Sequence, residues 1–141
     1  MNEFQRAKKA VGDIEYQLKQ TVKALQDMED GTSRSELNDN ELMQYYAFWR
    51  IKNKLEDALA EIEYLKKPVI AEGTLYKNEQ GRYEIDRLHY FTSGSPIEIY
   101  IYDDFEERYY WYKSRVEHKD GDYYVVGYDG PLEGLKARIR G

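Results

Sequence analysis

The chain has 141 residues, the length of one ordinary domain or two very small ones. It holds no cysteine, which excludes disulfides, thiolate nucleophiles and cysteine-bearing zinc sites and fits a reducing compartment. The net charge of −6 argues against non-specific DNA binding, which needs a cationic surface, and suits a solvated surface or, less simply, a DNA mimic.

The N-terminal run Met1-Asn2-Glu3-Phe4-Gln5-Arg6 lacks the apolar core of a signal peptide, and no later run is long and apolar enough to span a membrane. Phe4, Val11, Leu18 and Leu25 are spaced by seven, with Ala7, Ile14, Thr21 and Met28 between them. This heptad stripe predicts a first helix with one sticky seam. Gly31 is the expected stop, as a residue able to take positive φ, and Thr32–Ser35 reads as a loop. A second helix is expected from Asn38-Asp39-Asn40, with Asn38 and Glu41 as a capping box. Its stripe is Phe48, Ile51, Leu55, Ala58, Ile62 and Leu65, extended at the start by Tyr45 and Trp49, and Pro68 ends it. The two seams can cover each other in an antiparallel hairpin or pair with another subunit.

After Pro68 the hydrophobic period changes to two. Expected strands are Gly73–Tyr76, Arg82–Ile85 and Leu88–Phe91, with a turn over Asn78–Gly81 and a breaker at Ser93-Gly94-Ser95-Pro96. Ile97, Ile99 and Ile101 alternate with Glu98, Tyr100 and Tyr102, the pattern of a half-buried strand. A long strand follows over Arg108–His118. Asp120-Gly121 is a two-residue hairpin signal, Tyr123–Tyr128 pairs back, and Lys136–Arg140 is a last strand, whose row of charges reads either as the protection of a sheet edge or as an anion site. The fold expected is α+β: a two-helix hairpin over residues 1–68, then a bent antiparallel sheet of about six short strands over 69–141, together one compact folding unit.

Catalytic signatures are sparse. His89 and His118 sit in separate strands without a metal-ligand spacing. Asp103-Asp104 and Glu106-Glu107 read as a solvated turn, with a two-carboxylate or Mg²⁺ site as the lesser alternative. No cofactor motif occurs, and the chain reads as a binding protein rather than an enzyme. The tyrosines say more. Of 15, only four precede residue 71, and the other eleven crowd the sheet half. Strand propensity and cross-strand packing account for many of them. If the isoleucines of the Ile97–Ile101 strand take the core, however, Tyr100 and Tyr102 are left for water or a ligand. Trp111 and Tyr124 are candidates of the same kind. Arg108, Arg115 and the Lys136/Arg138/Arg140 row lie near them in sequence order of strands and are expected to grip an anion while the rings stack a base.

The runs Gly73–Tyr83 and Ser93–Glu98, Trp111 with Arg115–His118, Tyr123-Tyr124, and Leu132–Arg140 resemble a small uncharacterised domain family of phages and Gram-positive bacteria. With the helical hairpin in front, the chain also resembles the first type of phage anti-Thoeris protein. That resemblance implies a sponge: a viral protein in the cytoplasm of an infected bacterium that binds a cyclic ADP-ribose isomer between subunits of a dimer or a larger assembly such as a hexamer, and does not cleave it. It implies no membrane and no long nucleic acid as partner. Two rival readings stand beside it. One is a protein-interaction module that directly inhibits a host defence protein through the Phe48/Trp49 helix and the tyrosine-rich sheet. The other is a hydrolase of cyclic nucleotides using Asp103, Asp104 and His118 with a divalent metal.

Overall fold

The computed structural model describes residues 1–141, and the chain divides into two compact units, Met1–Lys66 and Lys67–Gly141. It has the α+β architecture that the change of period predicts: two helices, then an antiparallel five-stranded sheet with a separate two-stranded ribbon. No helix is long and apolar enough to cross a membrane.

The first unit is a helical hairpin. Helix α1 (Glu3–Gly31) starts from Asn2, whose side chain accepts from Gln5 N–H at 2.8 Å while the Gln5 side chain caps Asn2 in return. Gly31 belongs to the helix and its φ is not positive. The chain leaves instead through Thr32 in an extended conformation, its N–H donating to Met28 O. Helix α2 (Asp39–Lys66) begins with the expected capping box: Glu41 N–H donates to Asn38 at 2.8 Å, and Asn38 N–H donates to Glu41 at 3.0 Å.

The seam between the helices is phased differently from the expected stripes. Leu18, Leu25 and Met28 of α1 are half-buried, as are Leu42, Tyr45, Leu55 and Leu59 of α2, and Ile62 is buried. Phe4, Val11 and Ile14 stay exposed, as do Phe48, Ile51, Ala58 and Leu65. Each helix is apolar over more than one stripe's width, and the hairpin consumes only part of it. At the seam's polar end Lys52 is buried, donating to Gln26 Oε1 at 2.9 Å and Glu29 Oε2 at 2.8 Å. The other Glu29 oxygen, Oε1, is buried without a hydrogen-bond partner.

The second unit contains β1 (Val69–Thr74), β2 (Tyr76–Lys77), β3 (Tyr83–Glu84), β4 (Pro96–Asp103), β5 (Arg108–Lys119), β6 (Asp122–Val125) and β7 (Lys136–Arg140). The large sheet has the order β1-β7-β4-β5-β6, and β2 with β3 makes the ribbon. β5 returns into β6 through Asp120 (φ 53°) and Gly121 (φ 83°), the paired positive φ of a tight hairpin turn. Ile97, Ile99, Val116, Val125 and Ala137 point to one face and are sealed there by Leu75, Tyr83, Ile85, Phe91 and Leu132. Gly73 lets β1 pass the ribbon, since a Cβ there would stand 2.5 Å from Ile85 O.

Several strand expectations need correction. The first strand starts earlier, at Val69, and breaks at Leu75, which leaves the ladder to bond Leu135 and bury its side chain. Leu88–Phe91 contributes only a single bridge, Tyr90 with Glu84, because the Asp86 carboxylate accepts the Leu88 and His89 N–H groups and holds a turn. The strand after the hairpin stops at Val125, where Gly127 (φ 83°) turns the chain. Most consequentially, β7 is not an edge strand: it lies between β1 and β4.

Candidate ligand-binding face of the sheet

Because side chains alternate along a strand, burying Ile97 and Ile99 commits Glu98, Tyr100 and Tyr102 to the opposite face. The register places Trp111 across from Tyr100, Tyr109 across from Tyr102, and Arg138 across from Glu98. Lys136 and Arg140 share that face with Arg138. Three strands thus bring aromatic and cationic residues together.

The rings form a contiguous group. Tyr100 stacks on Tyr109 with centroids 5.3 Å apart and planes 21° from parallel, and it lies 5.1 Å from the tilted Trp111. Tyr102 meets Tyr109 edge-on at 5.4 Å. Tyr102 and Tyr109 remain 51% and 54% exposed, so the group is not consumed by the core. The cations sit against it: the Arg138 guanidinium is 4.0 Å from the Trp111 centroid, and Lys136 Nζ is 5.4 Å from Tyr100 and 5.6 Å from Trp111.

Glu98 organises this group, and sequence reasoning placed it only on the solvent phase of its strand. It is 4% exposed. Arg138 Nε donates to Glu98 Oε1 at 2.8 Å, Arg140 Nε to Glu98 Oε2 at 2.5 Å, and Arg140 Nη1 to Lys67 O at 2.9 Å. One carboxylate therefore orients two guanidinium groups, while Glu72 on β1 pairs with Lys136 at 3.1 Å. The cationic row is an ordered ion-pair network rather than a loose fringe. The signal for Glu98 is a single acid between two buried isoleucines, which gains meaning only once β7 is known to be its neighbour. Tyr109 shares the face of Trp111 by alternation along β5, and its stacking on Tyr100 follows from the β4–β5 register.

The remaining candidates stand apart. Arg115 is four residues along β5 from Trp111, about 13 Å at strand spacing, and pairs with Glu117 at 3.1 Å. Tyr124 faces Glu117 across the β5–β6 pair, about 20 Å from Trp111 along the strand. Arg108 pairs with Asp103 at the tip of the β4–β5 hairpin, and alternation turns it to the side of Ile101 and Tyr110.

The acidic turn is a built loop. Asp103 Oδ1 accepts the Phe105 and Glu106 N–H groups at 2.7 and 3.1 Å, Tyr110 OH donates to Oδ2 at 3.4 Å, and Glu107 takes φ 56°. His118 lies at the far end of β5, packed edge-on against Tyr123 at 4.8 Å. Ten strand residues, about 33 Å, separate it from Arg108 beside that turn, so Asp103, Asp104 and His118 do not converge. His89 Nδ1 is 2.9 Å from Asp86, and this contact holds the Asp86 carboxyl below its ordinary range.

Residues 73–139, from within β1 to the penultimate residue of β7, match the profile of a domain of unknown function, DUF5348. The chain matches no curated protein and no solved structure.

Proposed function

We propose that the open face of the sheet captures a small cyclic nucleotide of the cyclic ADP-ribose type and holds it without cleavage. The chain would then serve as a phage-encoded sponge in the infected bacterial cytoplasm, like the anti-Thoeris proteins it resembles. The observation that carries this reading is the Arg138 guanidinium lying 4.0 Å from Trp111 beside the Tyr100–Tyr109 stack. A purine stacks on such rings for about 1–3 kcal/mol per base, and phosphate oxygens take guanidinium and ammonium hydrogens. Nanomolar capture needs about −12 kcal/mol, more than one stacked base on an open wall supplies. A second copy of the chain closes the site in this proposal. The apolar residues left over on the helices support such pairing: Phe4, Val11, Ile14 and Ile51 are 76%, 42%, 49% and 45% exposed.

Titration calorimetry with the cyclic signal tests the binding. Saturable heat is expected, and Trp111→Ala weakens it by about 5- to 150-fold, the loss of one stacked base. Absence of heat at micromolar protein removes the proposal. Ligand recovered intact after heat release separates a sponge from a hydrolase. Light scattering tests the pairing, and a species at 16.8 kDa alone refutes it.

The exposed Phe48 and Trp49 of α2 favour a second reading, a module that inhibits a host defence protein directly. A stoichiometric host protein that is retained by the native chain and lost with Trp49→Ala supports it.

A further inference from the structure

The outer edge of β5 is open over most of its length. β4 pairs with Arg108–Arg115, whereas β6 pairs only with Val116–Lys119. Val116 N–H donates to Ser95 O on the β4 side at 2.8 Å, and Arg115 O accepts Val126 N–H on the other side at 3.1 Å. Alternation therefore aims the N–H and C=O groups of Tyr109 and Trp111 outward. Their N–H groups meet no acceptor in the chain, and Tyr109 O takes only Arg108 Nε at 3.5 Å.

The sheet's other edges are blunted and this one is not. β1 carries a register shift between Val69 and Ala71, and β6 is only 4 residues long. The run Tyr109-Tyr110-Trp111-Tyr112 holds no charge, proline or glycine, and in the turn before it Phe105 is 91% exposed. An edge of that kind is a template for another strand. We propose that its occupant is the same edge of a second copy of this chain, joined antiparallel about a two-fold axis at Tyr110.

Charge selects this occupant and this register. Tyr109 then lies opposite Trp111 of the partner subunit, and each exchanges its outward N–H and C=O with the other. Glu107, whose side chain pairs with nothing in its own chain, lies opposite Lys113 of the partner subunit, and the symmetry repeats that pair at the other end. Moving the axis to Trp111 instead runs the incoming strand into Val126 at Arg115. Opposed residues of an antiparallel pair share a face, so Tyr109 of one copy meets Trp111 of the other on the open face, and the two groups of rings and cations become one wall. The inference deepens the proposed capture by naming the pairing it needs, and it rests on that reading only for what the wall is for.

The chain has no cysteine, so a single introduced thiol reports contact. Tyr110→Cys places two thiols across a non-hydrogen-bonded pair, with about 4.5 Å between Cα atoms, which suits a disulfide. In oxidised glutathione the intact chain carrying it should form a covalent dimer about tenfold faster than Tyr124→Cys on β6. Glu107→Lys sets like charges opposite each other and should weaken the dimer about fivefold in sedimentation equilibrium with the melting temperature unchanged. Glu79→Lys, an equal change of charge on the ribbon turn, should leave the dimer as it is. A monomer at micromolar concentration overturns the proposal. So does cross-linking of Tyr110→Cys no faster than the control, or a dimer that Glu107→Lys leaves intact. Neither measurement uses ligand, so a failed pairing is read apart from a failed capture.

Discussion

Replacing Glu98 by Gln removes the one negative charge that holds two guanidinium groups, and its cost can be worked from burial. The Glu98 side chain is 5% exposed, and those of Arg138 and Arg140 are 18% and 20% exposed. Removing one partner of a buried pair costs about 3–5 kcal/mol, because the charge left behind stays desolvated. The arginines keep some contact with water, which selects the lower end, about 3 kcal/mol. For a unit of this size that is a fall of about 12–24 °C in melting temperature. Urea unfolding followed by tryptophan fluorescence measures it, in a Trp49→Phe background so that Trp111 alone reports. A cycle with Arg138→Gln isolates the coupling: the double variant should be less destabilised than the sum of the singles. A loss below about 0.5 kcal/mol, the scale of an exposed surface pair, refutes the claim that Glu98 organises the face.

Lys52→Met leaves the Glu29 carboxylate buried without its cation, so the helical unit should melt earlier by circular dichroism. Glu29→Gln combined with Lys52→Met should recover most of the loss, and no recovery argues against a paired buried charge. Ile99→Ala opens a cavity at a residue with no exposure and should cost about 2–5 kcal/mol in the same urea assay. Gly73→Ala drives a Cβ against Ile85 O and should cost about 1–3 kcal/mol, whereas Gly94→Ala, with open space around it but φ 87°, probes backbone strain alone. The carboxyls of Glu84, Asp86 and Asp122 are held below their ordinary values, Glu84 by Asn78 and Tyr76, Asp86 by His89, Asp122 by Lys77. Their contribution is complete above the ordinary carboxylate range and is lost as pH falls through the depressed folded values. The hydroxyls of Tyr76, Tyr83 and Tyr110 are raised, the first by its bond to Glu84 and the others by burial, so their contribution is lost as pH rises above 10. Stability measured across pH should be a plateau falling at both ends, and stability that does not fall as the pH is taken below the ordinary carboxylate range contradicts the acid limb.

Local chemistry made part of this fold legible. Asn38 and Glu41 announce the start of α2, because a capping box needs only its own four residues. Asp120-Gly121 announces the β5–β6 turn, because few residues other than these accept positive φ in succession. The alternation of Ile97, Ile99 and Ile101 gave the orientation of Tyr100 and Tyr102 correctly. What eluded the sequence depends on partners distant along the chain. Glu98 and Lys52 carry no local sign of burial, which follows from Arg138 and Arg140 in one case and from Gln26 and Glu29 in the other. The phase of the helical seam eluded it too, since both helices carry more apolar width than a single contact uses. Strand order has no local signature at all, which is why Arg108, Arg115 and Tyr124, plausible companions of Trp111 by sequence, stand apart from it.

The insertion of β7 between β1 and β4 sets a temporal order on the molecule. During synthesis β1 emerges early with no neighbour to accept its ladder, and β4 presents a bare rim until some forty further residues have left the ribosome. Closure comes with the very segment that carries Lys136, Arg138 and Arg140. A nascent chain arrested before that segment would display an unfinished, self-adhesive sheet, so completion of the architecture and arming of the cationic surface are a single late event.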